Sequence, residues 1–216
     1  MDVDLLEASH VGQSGRLVIA SHPSAAISLL PNLVAEFLSQ RPGVSVRLLA
    51  RHSESVGQLL PGEGFDIGIA KLPFDESAMT LVKYQVRCVA ILPPRHALAS
   101  RKVLTPKLLA DFPLVVSTRA TQMLARLQRA FAVDGVQANV VAEVEFFATA
   151  CALVAAGVGW SLVDSLSAES FGHLGLVVRP FEPAIVYEIG AFHRRDREPS
   201  PLAVAFLELL DNKLNR

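Results

Sequence analysis

Small polar and charged residues recur at the ends of the apolar runs, a placement suited to gripping a small molecule. After "LVIA" stand Ser21, His22, Pro23 and Ser24, and after "VSVRLLA" stand Arg51, His52, Ser53 and Ser55. "DIGIA" is followed by Lys71, and "LVVS" ends on Ser117 with Thr118, Arg119 and Thr121 beyond it. "VVAEV" leads to Glu145, Phe146 and Phe147, and "GWSLV" to Asp164. Hydroxyls and free backbone N–H groups ahead of helices suit a carboxylate or another anion. Lys71 would add a positive charge, Phe146 and Phe147 an apolar wall, and Glu145 a partner for an amine. Each residue alone has a plainer reading. Serine and threonine before a helix are ordinarily caps, lysine is ordinarily solvated, Arg119 reads as an exposed helix start and Phe147 as core. The repetition of the pattern at every strand end carries the binding reading.

Catalytic motifs are missing by comparison. The sequence has no G-x-S-x-G, H-E-x-x-H, phosphate-binding glycine loop or C-x-x-C. His10, His22, His52, His96, His173 and His193 lack metal-ligand spacing. His22 and His52 fall at neighbouring strand ends, where hydrogen-bonding imidazoles fit better than a metal. The expectation is binding without turnover, with no catalytic residue, metal or cofactor.

The elements that must position these residues alternate. Strands are expected at 15–20, 44–48, 65–71, 84–92, 114–117, 140–144 and 158–163, with two more in "LVVRPF" and "VYEIGAF". Helices are expected at 28–40, where Pro31 must lie in the first turn, and at 53–60. Further helices are expected after Thr105-Pro106, over 124–131, over 147–156, and after a Ser200-Pro201 cap. Such alternation means an α/β fold with mostly parallel sheets, and about ten strands suit two lobes better than one.

Composition agrees. The 216 residues are 51% hydrophobic and 19% charged, which excludes disorder, and the net charge of -1 leaves no electrostatic footprint for nucleic acid on this chain. Cys88 and Cys151 sit in apolar runs and read as reduced core thiols. Residues 1–13 lack a signal-peptide pattern, and no apolar run reaches about 18 residues. A cytoplasmic location is the default expectation.

The succession "GRLVIA", "LLPNLVAEFLSQRPGVSVRLL", "GFDIGIAKLP", "PPRHALA" and "ALVAAGVGWSLV" resembles the effector-binding domain of LysR-type transcriptional regulators, from Gly15 to Leu210. The segments "SLVDSLSAESF" and "LGLVVRPFEPAIVYEIGAF" are also similar to the family's octopine and nopaline regulators. The resemblance implies a type 2 periplasmic-binding-protein-like fold: two Rossmann-like lobes, two crossover strands and a ligand in the inter-lobe cleft. Lobe I would be 15–87 and 192–216, lobe II 88–191, and 1–14 a linker remnant. The crossovers would lie in "VRCVAIL" and "YEIGAF".

The implied effector contacts are Ser21, His22 and Ser24, then Ser53, Lys71, Ser117, Thr118 and Thr121, with Phe146 and Phe147. Glu145 joins them from its strand-end position. Lys71 stands where some aromatic-acid-sensing members have arginine, so a carboxylate partner is kept but the bidentate fork is not. The family's N-terminal winged helix-turn-helix has no counterpart here, so DNA contact is expected only through a domain this chain lacks. The resemblance also implies a homodimer through helix 29–38 and a lobe II helix such as 147–156, a tetramer for the full-length protein, and no membrane partner. The competing expectations are a transporter's solute-binding protein, which a leader upstream would reveal, and an enzyme such as a dehydratase or deaminase, which needs converging catalytic groups.

Overall fold

Apolar runs broken by proline, glycine and short polar corners produce strands and helices that mostly alternate. The computed structural model describes residues 15–57, 64–118 and 120–215; the expected linker remnant, Arg119 and part of the 53–60 helix lie outside them. The chain forms two compact units. Unit 1 takes residues up to His22, Leu30–Val82 and Gly190–Arg216; unit 2 takes Pro23–Leu29 and Lys83–Ile189. These boundaries fall at 82/83 and 189/190 where the sequence suggested 87/88 and 191/192, and the excursion at 23–29 was not foreseen.

In unit 1, β1 (Gly15–Ser21) lies parallel between β2 (Val44–Ala50) and β3 (Ile67–Lys71). Ser21 is in register with Ala50 on one side and Ile69 on the other. Asp66 secures the start of β3 twice: its Oδ2 accepts the Val18 N–H at 2.8 Å and its own N–H donates to the Val18 carbonyl at 2.8 Å. Helix α1 (Leu30–Ser39) buries Leu30, Leu33 and Phe37. Phe37 meets Phe206 of the last helix edge-on, with ring centroids 5.2 Å apart. Ser200 caps that helix, Pro201–Leu214, as expected, its Oγ accepting the Ala203 N–H at 3.2 Å. Within the expected 53–60 helix, the described residues form α2 (Ser53–Gly57).

The strand expected at 84–92 is longer, β4 (Met79–Leu92), and passes from unit 1 into unit 2. In unit 2 the parallel neighbours of β5 (Pro113–Ser117) are β6 (Asn139–Val144) and β7 (Trp160–Asp164). β4 runs antiparallel to β7 and to β8 (Val177–Pro180). Finally β9 (Val186–Arg194) carries the chain from unit 2 back to unit 1. These two strands are the expected crossovers.

Between the strands of unit 2 lie α3 (Pro106–Leu109), α4 (Thr121–Val133), α5 (Phe147–Ala155) and α6 (Ser165–Ser170), so the terminal helix of unit 1 is α7. Two local readings need correction. Thr105 precedes α3 but makes no side-chain cap bond. α6 was not foreseen, although Asp164 caps it by accepting the Ser167 N–H at 2.6 Å.

The expectation for Pro31 is also corrected. The helical path starts at Pro23 and opens into a π turn at Ala25–Leu29 before α1. Pro31 therefore lies well inside a continuous helical run. Its missing N–H and its ring's clash with the carbonyl four residues back are accommodated where the helix widens.

Close approach at Gly159 yields a test. A Cβ there would stand 2.1 Å from the backbone carbonyl oxygen of Pro113, whereas one at Gly190 would meet the flexible tip of Leu81 at 2.4 Å. Gly159→Ala must force β5 from β7, while Gly190→Ala needs only a side-chain shift. Urea denaturation should show Gly159→Ala losing about 3 kcal/mol or failing to fold, and Gly190→Ala losing under about 1.5 kcal/mol. Equal losses would contradict this packing.

Candidate functional site

The carboxyl ends of β1, β2 and β3 gather Ser21, His22, Ser53 and Lys71 in unit 1. The corner after β1 is pinned by its backbone. The Arg51 N–H donates to the Ser21 carbonyl and the His22 N–H to the Ile69 carbonyl, both at 2.9 Å. Ser53 spends its hydroxyl on the same edge, Oγ accepting the Lys71 backbone N–H at 3.0 Å. It thus positions the end of β3 from 18 residues away.

With the backbone satisfied, the side chains of the corner stand out. Ser21 is fully buried, and its Oγ has no hydrogen-bond partner among the described residues. An unmet buried hydroxyl typically costs about 1–3 kcal/mol. His22 is also buried. Desolvation, reinforced by the Lys71 ammonium, lowers its imidazole from 6.5 to about 3. At neutral pH it is an uncharged ring with one N–H donor and one acceptor nitrogen. Lys71 is half-buried and His52 exposed, so the two histidines occupy different environments.

Unit 2 brings Ser117, Thr118, Glu145, Phe146 and Phe147 to the ends of β5 and β6. Ser117 Oγ donates to the Glu145 carbonyl at 3.1 Å, and Thr118 reaches the Val144 carbonyl through its N–H at 2.8 Å and its Oγ1 at 3.2 Å. These hydroxyls fasten two strand ends together. Thr121 is the exposed first residue of α4, and the preceding Ala120 supplies no side-chain cap. Glu145 is exposed, Phe146 is 37% exposed at the N-cap of α5, and Phe147 is buried at 3%. Phe147 thus takes its plainer reading as a core side chain, while Phe146 faces outward. Ser24 is half-buried and belongs to the 23–29 segment of unit 2.

A further polar cluster was only partly legible. The sequence places Asp164 at a strand end but does not reveal its neighbours. It is fully buried; Oδ1 accepts the Ser167 N–H, and Oδ2 accepts the Tyr187 hydroxyl at 2.7 Å. Burial, with the Asp164 charge, keeps Tyr187 protonated well above its ordinary value of 10.0 and pushes the Cys151 thiol up to about 12. The D-x-x-S spacing of Asp164 and Ser167 was a readable cap signal. The reach to Tyr187, 23 residues on, was not. Cys88 and Cys151 are both buried and outside any disulfide. Among the described residues no group of three or more His, Cys, Asp or Glu could hold a metal ion.

Comparison with known proteins points to one family. The family profile described as LysR substrate binding domain matches residues 10–215. The transcriptional activator protein LysR of Escherichia coli K12 is 31% identical over 94% of this chain and 66% of its own length. The octopine catabolism/uptake operon regulatory protein OccR of Rhizobium meliloti is 25% identical over 91% of this chain and 65% of its own length, in line with the likeness to opine regulators. The chain thus spans just under two thirds of these relatives. Among solved structures, the Synechocystis PCC6803 CcmR regulatory domain in complex with 2-PG has a TM-score of 0.74 at 20% identity, covering 94% of this chain and 98% of that one. The fold is the type 2 periplasmic-binding-protein-like one. The relatives are regulators of transcription rather than enzymes, and the chain belongs to the LysR substrate-binding-domain family.

Proposed function

We propose that this chain is the effector-sensing part of a LysR-type transcriptional regulator, and that it binds a small polar metabolite bearing a carboxylate through the strand-end residues of each unit. The carrying observation is the buried Ser21 hydroxyl that meets no partner among the described residues. It adjoins a neutral His22 whose titration feels the Lys71 ammonium. A carboxylate oxygen would accept from Ser21 and from a His22 N–H, and Lys71 would supply the charge. Ser53 acts one step back by holding the Lys71 backbone. Ser24, Ser117, Thr118, Thr121, Glu145 and Phe146 are the proposed contacts from unit 2.

The effector changes transcription only by binding two conformations unequally. In the whole regulator, DNA contact belongs to an N-terminal domain outside this chain, in the cytoplasm. Two copies pair through α1 and a helix of unit 2, and sedimentation at micromolar concentration should return a dimer; a monomer would contradict that pairing. No helix among the described residues is long and apolar enough to cross a membrane.

A thermal-shift screen of amino acids, opines and aromatic acids should give a hit. For that hit, Lys71→Ala and Ser21→Ala should each weaken binding about 10- to 100-fold by titration calorimetry. Wild-type affinity in both variants would sink the assignment.

The neutrality of His22 has a separate signature. Its native value of about 3 lies below the ordinary 6.5, so acid favours the unfolded chain. The stability is fully present above pH 6.5 and is lost as pH falls toward 3. His22→Asn should shrink the stability lost between pH 7 and pH 5 by about 2 kcal/mol in urea titrations. An unchanged pH dependence would show that His22 is not held neutral.

A further inference from the structure

The helical run after the candidate corner serves two different cores. Leu30, Leu33 and Phe37 bury in unit 1, whereas the preceding Pro23–Leu29 belongs to unit 2. An α-helix keeps one face. The π turn at Ala25–Leu29 inserts a residue and rotates the phase by about 100°, so one run can present successive faces to two cores. Ser28, 8% exposed, lies on the face that the turn gives to unit 2. Its Oγ shares a hydrogen bond with Ser167 Oγ at 3.2 Å, and Ser167 is fully buried. The receiving end is fixed in turn, because Asp164 holds the Ser167 N–H and the Tyr187 hydroxyl. Tyr187 lies on β9, just before the chain leaves unit 2, and Asp164 is in register with Cys88 on β4. One buried polar chain therefore ties the 23–29 segment to the end of β7 and to β9, and β4 pairs with β7 beside it.

We infer that the Ser28–Ser167 hydroxyl pair is a latch that holds the segment after Ser21 and His22 onto unit 2, with Asp164 and Tyr187 as its positioning residues. It is a single neutral hydrogen bond at a helical irregularity, the kind of contact that opens locally without unfolding a domain. Releasing it loosens Pro23–Leu29, where the buried Ala25 and Leu29 keep their apolar packing, and leaves the strand pairings of β1 untouched. Its regulatory meaning rests on the proposed effector corner, which this segment directly continues.

Hydrogen exchange of the ligand-free chain, followed by mass spectrometry, tests the latch independently of any effector. Ser28→Ala and Ser167→Ala should each speed exchange of the Ala25–Leu30 amides at least tenfold and leave those of β1 and β2 at wild-type rates. In a Ser28→Cys/Ser167→Cys variant, oxidation should close a disulfide and slow the same amides below wild type, and reduction should restore them. Wild-type rates in both alanine variants would overturn the inference. So would an equal rise across β1 and α1, which would mean that the hydroxyls only add global stability, or a double-cysteine variant that cannot be oxidised. An effector reading that failed would leave each of these outcomes intact.

Discussion

The parallel register of β1 between β2 and β3 is the constraint on which the rest depends. Parallel strands send their carboxyl ends to one edge, where the chain must turn away and backbone groups need partners. Here the backbone satisfies itself across the edge, Arg51 to Ser21 and His22 to Ile69. A slip of one residue would turn Ser21 to the other face and place Ala20 at the corner. Asp66, bonded twice to Val18, holds that register where β3 begins.

Unit 2 solves the same problem with side chains. Ser117 and Thr118 bond the carbonyls at the end of β6, so β5 and β6 finish together. Asp164 ends β7 by capping α6 and gripping Tyr187. A buried carboxylate is tolerated because both oxygens are hydrogen-bonded; removing either donor would leave part of it unmet. The polar residues at these strand ends are structural fasteners first, and the buried Ser21 hydroxyl, which meets no partner among the described residues, is the exception on which the proposed effector site rests.

Local patterns carried much of this into the sequence. The strand in "VSVRLLA" and the cap at Ser200-Pro201 were readable because their causes lie within a few residues. The two units were legible from the count and order of elements, and the two crossover strands came from the family resemblance. What escaped depends on distant partners. Ser53 bonds the Lys71 backbone and Tyr187 bonds Asp164, and no local rule links those positions. Phe146 and Phe147 are chemically identical neighbours, and only the placement of α5 decides which is buried. Pro31 was legible as an exception, but the π turn that absorbs it reflects a helix shared by two cores. The strand-end positions were therefore legible, and the hydrogen bonds that each of them makes were not.

The chain belongs to the LysR substrate-binding-domain family, and the carboxylate proposal rests on the chemistry of one corner. A neutral imidazole, an unmet hydroxyl and an ammonium suit a carboxylate better than a cation or an apolar ring. The most direct measurement is an NMR titration of the isotope-labelled chain with the ligand found by screening, following the ring nitrogens of His22 and the amide of Ser21. The account predicts that both move together and saturate at the calorimetric affinity, while exposed His52 stays still. Saturable shifts confined to other residues, with Ser21 and His22 unmoved, would contradict it.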